Sequence, residues 1–233
     1  QQLGRVLKAQ LDPHFEASLE RAARPVVALV QRDPDMAILQ VVQPPDTPVS
    51  NYANRHALHS AIAGQLAAQR LGWGDDAGKS LFRAALTMNL GMAELQNRLA
   101  AQVTPLTALQ RQQLHEHPQR SVEILQAAGV NDPHWLQAVA PHHDRPDGKG
   151  DPRGLGDLGE LALLLNRVDA FTARFSARVI RQAMPADAAV RLFIAADPKS
   201  PLAAAIVKEF GLYPPGCSVR LKSGEAGIVM RRG

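Results

Sequence analysis

The sequence predicts an all-α protein with one small β-hairpin at its C-terminal end. Apolar residues recur three or four positions apart through most of the chain, as amphipathic helices require. Gly and Pro punctuate these segments at the positions where helices should stop. Only the ending SVRLKSGEAGIVMRR alternates instead, around a Ser-Gly-Glu turn, and this pattern is typical of a hairpin.

The N-terminal part is predicted to be helical up to residue 43. Pro13 and Pro25 mark a helix start or a kink there, because proline has no N–H to donate to the helix ladder. The stretch PPDTPVSN is rich in turn formers and leads into the main domain as a linker. The chain therefore divides into a helical and linker segment at 1–50, a helical domain at 51–212 and a hairpin tail at 213–233.

Start and stop signals define the helices of the main domain. Leu58, Ile62 and Leu66 form the buried stripe of one helix, and Gly72 ends it. Thr107 and Gln110 form a capping-box pattern ahead of a helix over ALQRQQLHEHP. Further helical patterns occupy KSLFRAALTMNLGMAELQNRLA, SVEILQAAG, DPHWLQAVA, LALLLNRVDAFTARFSARVIRQAM, DAAVRLFIA and PLAAAIVKEF.

Composition and charge exclude several classes of protein. The 45% hydrophobic and 21% charged residues are those of a soluble globular protein, and no run of 18 apolar residues could span a membrane. The single cysteine, Cys217, suits a reducing cytosol. A start at Gln1 without Met suggests a piece of a longer protein. The net charge of +4 suits a phosphate-bearing ligand, but no basic block or aromatic platform supports nucleic-acid binding.

The stretch HHDRPDGKGDPRG, residues 142–154, is the candidate centre of function. Two adjacent histidines end an apolar run, and a loop rich in Gly, Pro and Asp follows. Adjacent helical residues point about 100° apart, so both imidazoles reach one centre only where the backbone leaves a helix end. With Asp144 and Asp147 beside them, they form a candidate metal shell.

This stretch resembles the HHExxDGxGYP signature of the HD-GYP family, a branch of the HD-domain metal phosphohydrolases that cleave cyclic di-GMP. Asp144 replaces the Glu of the signature and Asp151 replaces its Tyr. The similarity covers roughly residues 51–233 and includes the tail from Gly211 onward. It implies an HD-domain helical bundle for the main domain.

The resemblance implies four histidine ligands. His56 matches the His that opens a helix in a pattern like HSxxVA, and ligand and structural roles are equally open for it. His117 matches an LxxHP pattern, and His142 and His143 match the signature pair. His59, one turn after His56, is expected to be an ordinary, partly exposed helix residue.

Other positions depart from the family pattern. AALTMNLGM matches the stretch like aallHDiGK, so Met88, Asn89 and Met92 replace its His, Asp and Lys. Asn166 replaces the first Asp of a pattern like aDvyDAl, and the retained Asp169 is expected to be structural. Thioether and amide groups cannot neutralise two adjacent dications. A paired-metal hydrolase is therefore not expected.

Two further residues are candidates for ligand binding. Arg178 occupies the second basic position of a pattern like RPYR, where it either holds a phosphate or is a solvated helix charge. Asp147 lies in the signature loop and, with Asp144, is a candidate general base if any hydrolysis survives.

These residues predict a degenerate HD-GYP domain that serves bacterial signalling as a binding or interaction module. The expected partners are other signalling proteins, such as diguanylate cyclases or regulators, a second copy of the chain, or a cyclic dinucleotide. Its expected location is the cytoplasm, within a larger multidomain protein. The alternative is a residual cyclic di-GMP phosphodiesterase. The cofactor is then either one divalent metal (Fe, Mn or Zn) on His117, His142 and His143, or none.

Overall fold

The computed structural model describes residues 2–10, 12–43, 51–144, 159–180 and 182–233. Within these ranges the chain is helical apart from one short antiparallel sheet, so the predicted all-α class is confirmed. The helices are α1 Gln2–Lys8, α2 Phe15–Arg32, α3 Pro34–Val42, α4 Tyr52–Arg70, α5 Asp75–Thr87, α6 Ala93–Ala101, α7 Ala108–Ala127, α8 Pro133–Val139, α9 Glu160–Thr172, α10 Ala186–Ala196 and α11 Pro201–Phe210.

The predicted hairpin is present at the C-terminal end. Strand β1, Ser218–Arg220, pairs antiparallel with β2, Ala226–Ile228, and Val219 lies opposite Gly227. In the connecting turn the Leu221 N–H donates to Glu225 O at 2.8 Å. Gly224 has a φ of 94°, a conformation that a residue with a Cβ rarely adopts.

Several helix boundaries follow from the signals in the sequence. Thr107 and Gln110 form a reciprocal capping box at the start of α7. Gly72, with a φ of 71°, lies just beyond the end of α4. Pro25 lies inside α2, so it does not mark a helix start.

Helix α4 lies at the centre of the bundle and packs against α5, α9 and α11. Apolar side chains of α2 and α3, among them Phe15 and Ile38, enter the same hydrophobic core as those of α4 and α9. Burying such side chains gives about 1.5–3 kcal/mol each. The division of the chain at residue 50 stays a prediction. In the described ranges no helix is both long and apolar enough to cross a bilayer.

The segment predicted as one helical run over residues 79–100 is interrupted. Helix α5 ends at Thr87, and a 3-10 turn at Leu90–Met92 precedes α6. Gly91 lies so close to α7 that an added Cβ would meet His117 O at 2.7 Å. Ser121 of α7 donates its hydroxyl to Met88 O and accepts the Gly91 N–H. Contact with α7 therefore breaks the helix here.

Helix α9 is also shorter than the helical pattern that runs to residue 184. It ends at Thr172, and the chain then turns so that Phe175 packs edge-on against Phe171, with ring centroids 5.1 Å apart. The Val179 N–H donates to Ala100 O at the end of α6. Arg178 therefore does not lie on a helix, and its interpretation as a solvated helix charge is wrong.

Candidate metal centre

Three imidazoles meet where α7 faces the end of α8. His117 belongs to α7, and His142 and His143 follow α8. One ring nitrogen from each of the three lies within 4.8 Å of the others. His117 and His142 are buried and His143 is half-buried. We call His117, His142 and His143 the histidine cluster.

Backbone carbonyls fix the orientation of two of these rings. Nδ1 of His117 lies 2.6 Å from Leu114 O, and Nδ1 of His142 lies 2.6 Å from Val139 O. A carbonyl oxygen can only accept, so both Nδ1 atoms carry the hydrogen. Each neutral ring then presents the lone pair of its Nε2 atom to the centre of the cluster.

The LxxHP pattern explains why Leu114 O is available. In a regular helix this carbonyl would accept from the N–H four residues on, which is Pro118, and proline has none. The His117 ring takes the place of the missing donor. The proline inside α7 thus creates the acceptor that orients the candidate ligand directly before it.

The two Nε2 atoms of His117 and His142 are only 3.2 Å apart. Burial lowers the pKa of His142 well below its usual value, and the charges of His143 and His117 lower it further. His142 is therefore neutral near neutral pH, and with its hydrogen on Nδ1 its Nε2 atom has no proton to donate to His117. A cation between these lone pairs would remove their repulsion, and metal-bound histidines commonly donate their other N–H to a carbonyl. The cluster therefore fits a metal ion.

His56 lies in a separate contact on α4. Its Nε2 is 2.7 Å from Oδ1 of Asp169 on α9, and its ring stacks on Tyr52 with centroids 6.0 Å apart. Burial acts to raise the pKa of Asp169, but the hydrogen bond from His56 and its charge, with those of His143 and His142, hold this pKa below its usual range. The Asp169 carboxylate thus interacts with both His56 and the histidine cluster.

A structural role is predicted for Asp169, and the local residue pattern carries little sign of this contact. The available signal was that LNRVDAF keeps one carboxylate three residues after Asn166. That spacing places both side chains near the same face of α9. Asn166 donates its Nδ2 hydrogen to His142 O at 2.9 Å and so helps to hold the loop that carries the cluster.

The positions that match the namesake His-Asp pair have a different character. Met88 is fully buried within the hydrophobic core. Asn89 is 6% exposed, and neither of its side-chain polar atoms has a hydrogen-bond partner in the described part of the chain. We call Met88 and Asn89 the amide corner.

The prediction that His59 is partly exposed is wrong. It is only 4% exposed, because a residue three positions after His56 lies on the same inward face of α4. Burial lowers the pKa of His59 to about 3, with smaller contributions from the charges of His56 and Arg55. His59 is therefore a neutral histidine near neutral pH.

Of the two candidate ligand-binding residues, the described ranges include only Arg178. Its Nε donates to the Tyr52 hydroxyl at 3.2 Å, and its guanidinium lies 5.3 Å from the centre of the Tyr52 ring. Tyr52 in turn stacks on His56, so Arg178 lies at the edge of the same site. Asp147 and Asp151 lie outside the described residues.

Comparisons with known proteins give this arrangement a family. The family model of the HD domain matches residues 40–197. The cyclic di-GMP phosphodiesterase PA4108 of Pseudomonas aeruginosa is 30% identical over 125 residues, which are 51% of this chain and 30% of that protein.

Among solved structures, Bd1817, an HDG"Y"P protein from Bdellovibrio bacteriovorus, superposes with a TM-score of 0.69 at 18% identity. The superposition covers 89% of this chain and 66% of that one. The chain thus spans less than a third of the curated relative and about two thirds of the structural one. The chain belongs to the HD-domain family.

Proposed function

We propose that this HD-GYP-type domain is catalytically degenerate and serves signalling as a binding or interaction module. The amide corner is the observation that carries the proposal. Two adjacent dications need carboxylates to offset their mutual repulsion, and Asn89 and Asn166 offer only neutral amides at the matching positions. Met88 is buried in the core and offers only a soft thioether.

The same domain is proposed to hold one divalent cation on His117, His142 and His143. The two carbonyl-oriented rings and their facing lone pairs support this assignment. Three imidazoles with one open position suit Zn²⁺, Fe²⁺ or Mn²⁺. Such a cation would supply Lewis acidity at the open position. His56 is bonded to Asp169, and we propose that this pair supports the site from the opposite helix.

One contact favours a second candidate, a residual phosphodiesterase with a single metal. Asp169 keeps an ionised carboxylate beside the imidazoles, because the His56 hydrogen bond holds its pKa low despite burial. With its pKa lowered, Asp169 is a weak proton acceptor, so it could orient an attacking water while Asp144 or Asp147 accepts the proton. In this alternative, Arg178 would bind a phosphate of the cyclic dinucleotide as a planar fork.

A hydrolysis assay separates the two candidates. Purified protein is incubated with cyclic di-GMP and Mn²⁺, Fe²⁺ or Zn²⁺ in turn, and linear product is followed by chromatography. Degeneracy predicts no product above a no-protein control. Turnover that His142→Ala abolishes and His134→Ala leaves intact would support the phosphodiesterase instead, since His134 is exposed on α8.

The interaction role needs its own measurement. We expect a signalling partner such as a diguanylate cyclase, or a second copy of this chain, to associate with the domain whether or not metal is present. Sedimentation of the purified domain alone reports self-association. Sedimentation with a candidate cyclase reports hetero-association, and a single monomeric species in every mixture would contradict an interaction role for those partners.

A further inference from the structure

An open cleft of about 710 Å³ lies between α1 and the first turns of α4. Its polar lining consists of Arg5 and Lys8 from α1, and Asn51, Asn54 and Arg55 from the start of α4. Three cations and two amides thus line one cavity. None of the lining residues is acidic.

The charges in this cleft are of one sign. Arg5 and Lys8 form no ion pair with any carboxylate in the described ranges. A concave site lined by charges of one sign focuses the electrostatic potential and concentrates counter-ions. Arg55 is half-buried at its base; burial lowers the pKa of its guanidinium, but an arginine side chain stays charged at neutral pH.

The N-terminus of α4 adds to this positive potential. Asn51, which precedes the helix, has a φ of 54° and makes no side-chain cap hydrogen bond. The Ala53 N–H is satisfied by Oδ1 of Asn97 from outside the cleft. The helix dipole places partial positive charge at this end of a helix that is five turns long, and anions are stabilised there.

Close packing of the two helices forms the cleft. A Cβ added to Gly4 would lie 2.8 Å from Nδ2 of Asn54, so the α1 backbone approaches the first turn of α4 directly. This approach brings Arg5 and Lys8 into the same cleft as Arg55. The apolar side chains of Leu3 and Leu58 complete the wall.

The cleft is separate from the metal centre, although both use α4. Asn51, Asn54, Arg55 and Leu58 follow the spacing i, i+3, i+4 and i+7 and so share one face of the helix. His56 lies on a different face, bonded to Asp169. A ligand of the cleft would therefore not touch the histidine cluster.

We propose that this cleft binds a nucleoside diphosphate, with the phosphates between Arg5 and Lys8. The two asparagine amides can donate to phosphate oxygens, and a guanidinium can bind them as a fork. A volume of about 710 Å³ lies in the range of small-molecule sites. The wall of Leu3 and Leu58 suits the base and ribose, which inorganic phosphate lacks.

Calorimetric titration of the full chain with GDP, ADP and inorganic pyrophosphate tests the proposal. The test variant is Arg5→Gln/Lys8→Gln. The matched control is Lys199→Gln/Lys222→Gln, which removes the same charge from two exposed lysines elsewhere. Circular dichroism checks that both variants keep their helices. A third variant, His117→Ala, tests independence from the metal centre.

We expect both nucleotides to bind more tightly than pyrophosphate, and Arg5→Gln/Lys8→Gln to weaken their binding by about tenfold or more. The lysine control and His117→Ala should leave the affinity unchanged. No heat from any probe at millimolar concentration, or equal weakening in the two double variants, would overturn the site. Pyrophosphate binding as tight as GDP binding would overturn the nucleoside part of the assignment. Loss in His117→Ala alone would place the nucleotide at the histidine cluster instead.

Discussion

The histidine cluster and the amide corner lie on adjacent elements, yet the hydrogen bonding of their polar side chains differs. In the cluster, two backbone carbonyls hold rings through Nδ1 and leave Nε2 lone pairs converging. In the amide corner, neither polar atom of the Asn89 side chain has a partner in the described ranges. One region orients its rings as metal-bound histidines are commonly oriented, and in the other the buried amide has no hydrogen-bond partner among the described residues.

The same backbone contacts join both regions. Gly91 still allows the 3-10 turn to approach α7, and the Ser121 hydroxyl still joins the two. The difference between the regions therefore lies in ligand chemistry and not in backbone position. Under the proposed function, the fold is retained for binding while the second metal position is given up.

The largest effect is expected from metal binding at the histidine cluster. Zn²⁺ at about 100 times its Kd should raise the free energy of unfolding by about 2.7 kcal/mol, because metal binds only the folded site. His142→Ala should abolish this increase, while the exposed His134→Ala should keep it. Urea unfolding with and without Zn²⁺ measures both. A full increase in His142→Ala would mean that the metal binds elsewhere.

The next effect concerns His59 and acid. Its folded-state pKa is lowered to about 3, so the unfolded chain binds a proton below about pH 6.5 while the folded chain does not. The contribution of neutral His59 to the free energy of unfolding is complete above about pH 6.5 and is lost as the pH falls towards 3. Between pH 6.5 and pH 5, His59 should lower the free energy of unfolding by roughly 2 kcal/mol.

Replacing His59 by Leu should remove that part of the pH dependence. Urea unfolding in chelator at pH 6.5 and at pH 5 should therefore show a smaller acid loss for His59→Leu than for the wild type. His134→Leu serves as the matched control, since His134 is exposed. Identical losses in wild type and His59→Leu would show that His59 is protonated in the folded protein.

At a metal-ligand site an apolar substitution should reduce metal binding, whereas at the amide corner it should raise the free energy of unfolding. Asn89→Leu is of similar size and removes two unsatisfied polar atoms, so it should raise the free energy of unfolding by about 1 kcal/mol. Asn89→Asp should lower it without metal, because it buries a charge. Urea unfolding in chelator measures both variants. Destabilisation by Asn89→Leu would mean that the amide has bonding partners in solution.

The smallest effect is expected at the edge of the site. Arg178→Ala removes both the hydrogen bond to Tyr52 and the contact with its ring, and should cost about 0.5–1 kcal/mol. Tyr52→Phe keeps the ring contact and should cost less. Thermal unfolding of the two variants shows which substitution lowers stability more. A larger loss in Tyr52→Phe would make the hydroxyl the main contact.

Sequence periodicity predicted the helices, the capping box and the hairpin, because these depend on local residue patterns. It missed the break after Thr87 and the end of α9 at Thr172. Both depend on tertiary contacts. The Ser121 hydroxyl of α7 donates a hydrogen bond to Met88 O at the break, and Phe175 packs against Phe171 in the core. Periodicity shows which face of a helix is apolar. It does not show where contact with a neighbouring element ends the helix.

The prediction of the candidate site was also limited to what local patterns and the resemblance carry. Local patterns and the family resemblance identified His117, His142 and His143, which lie together. Neither identified the contact between His56 and Asp169, whose residues are 113 positions apart. The burial of His59 was also missed, although its spacing of three residues from His56 places both side chains on one face of α4.

The most direct test of the central claim is the metal content of the purified chain. Elemental mass spectrometry after supply of iron, manganese and zinc gives the number of metal ions per chain. We expect about one, lost in His117→Ala and in His143→Ala and retained in His134→Ala. Two metals per wild-type chain would contradict the account, because the amide corner or another group would then be supporting the second ion.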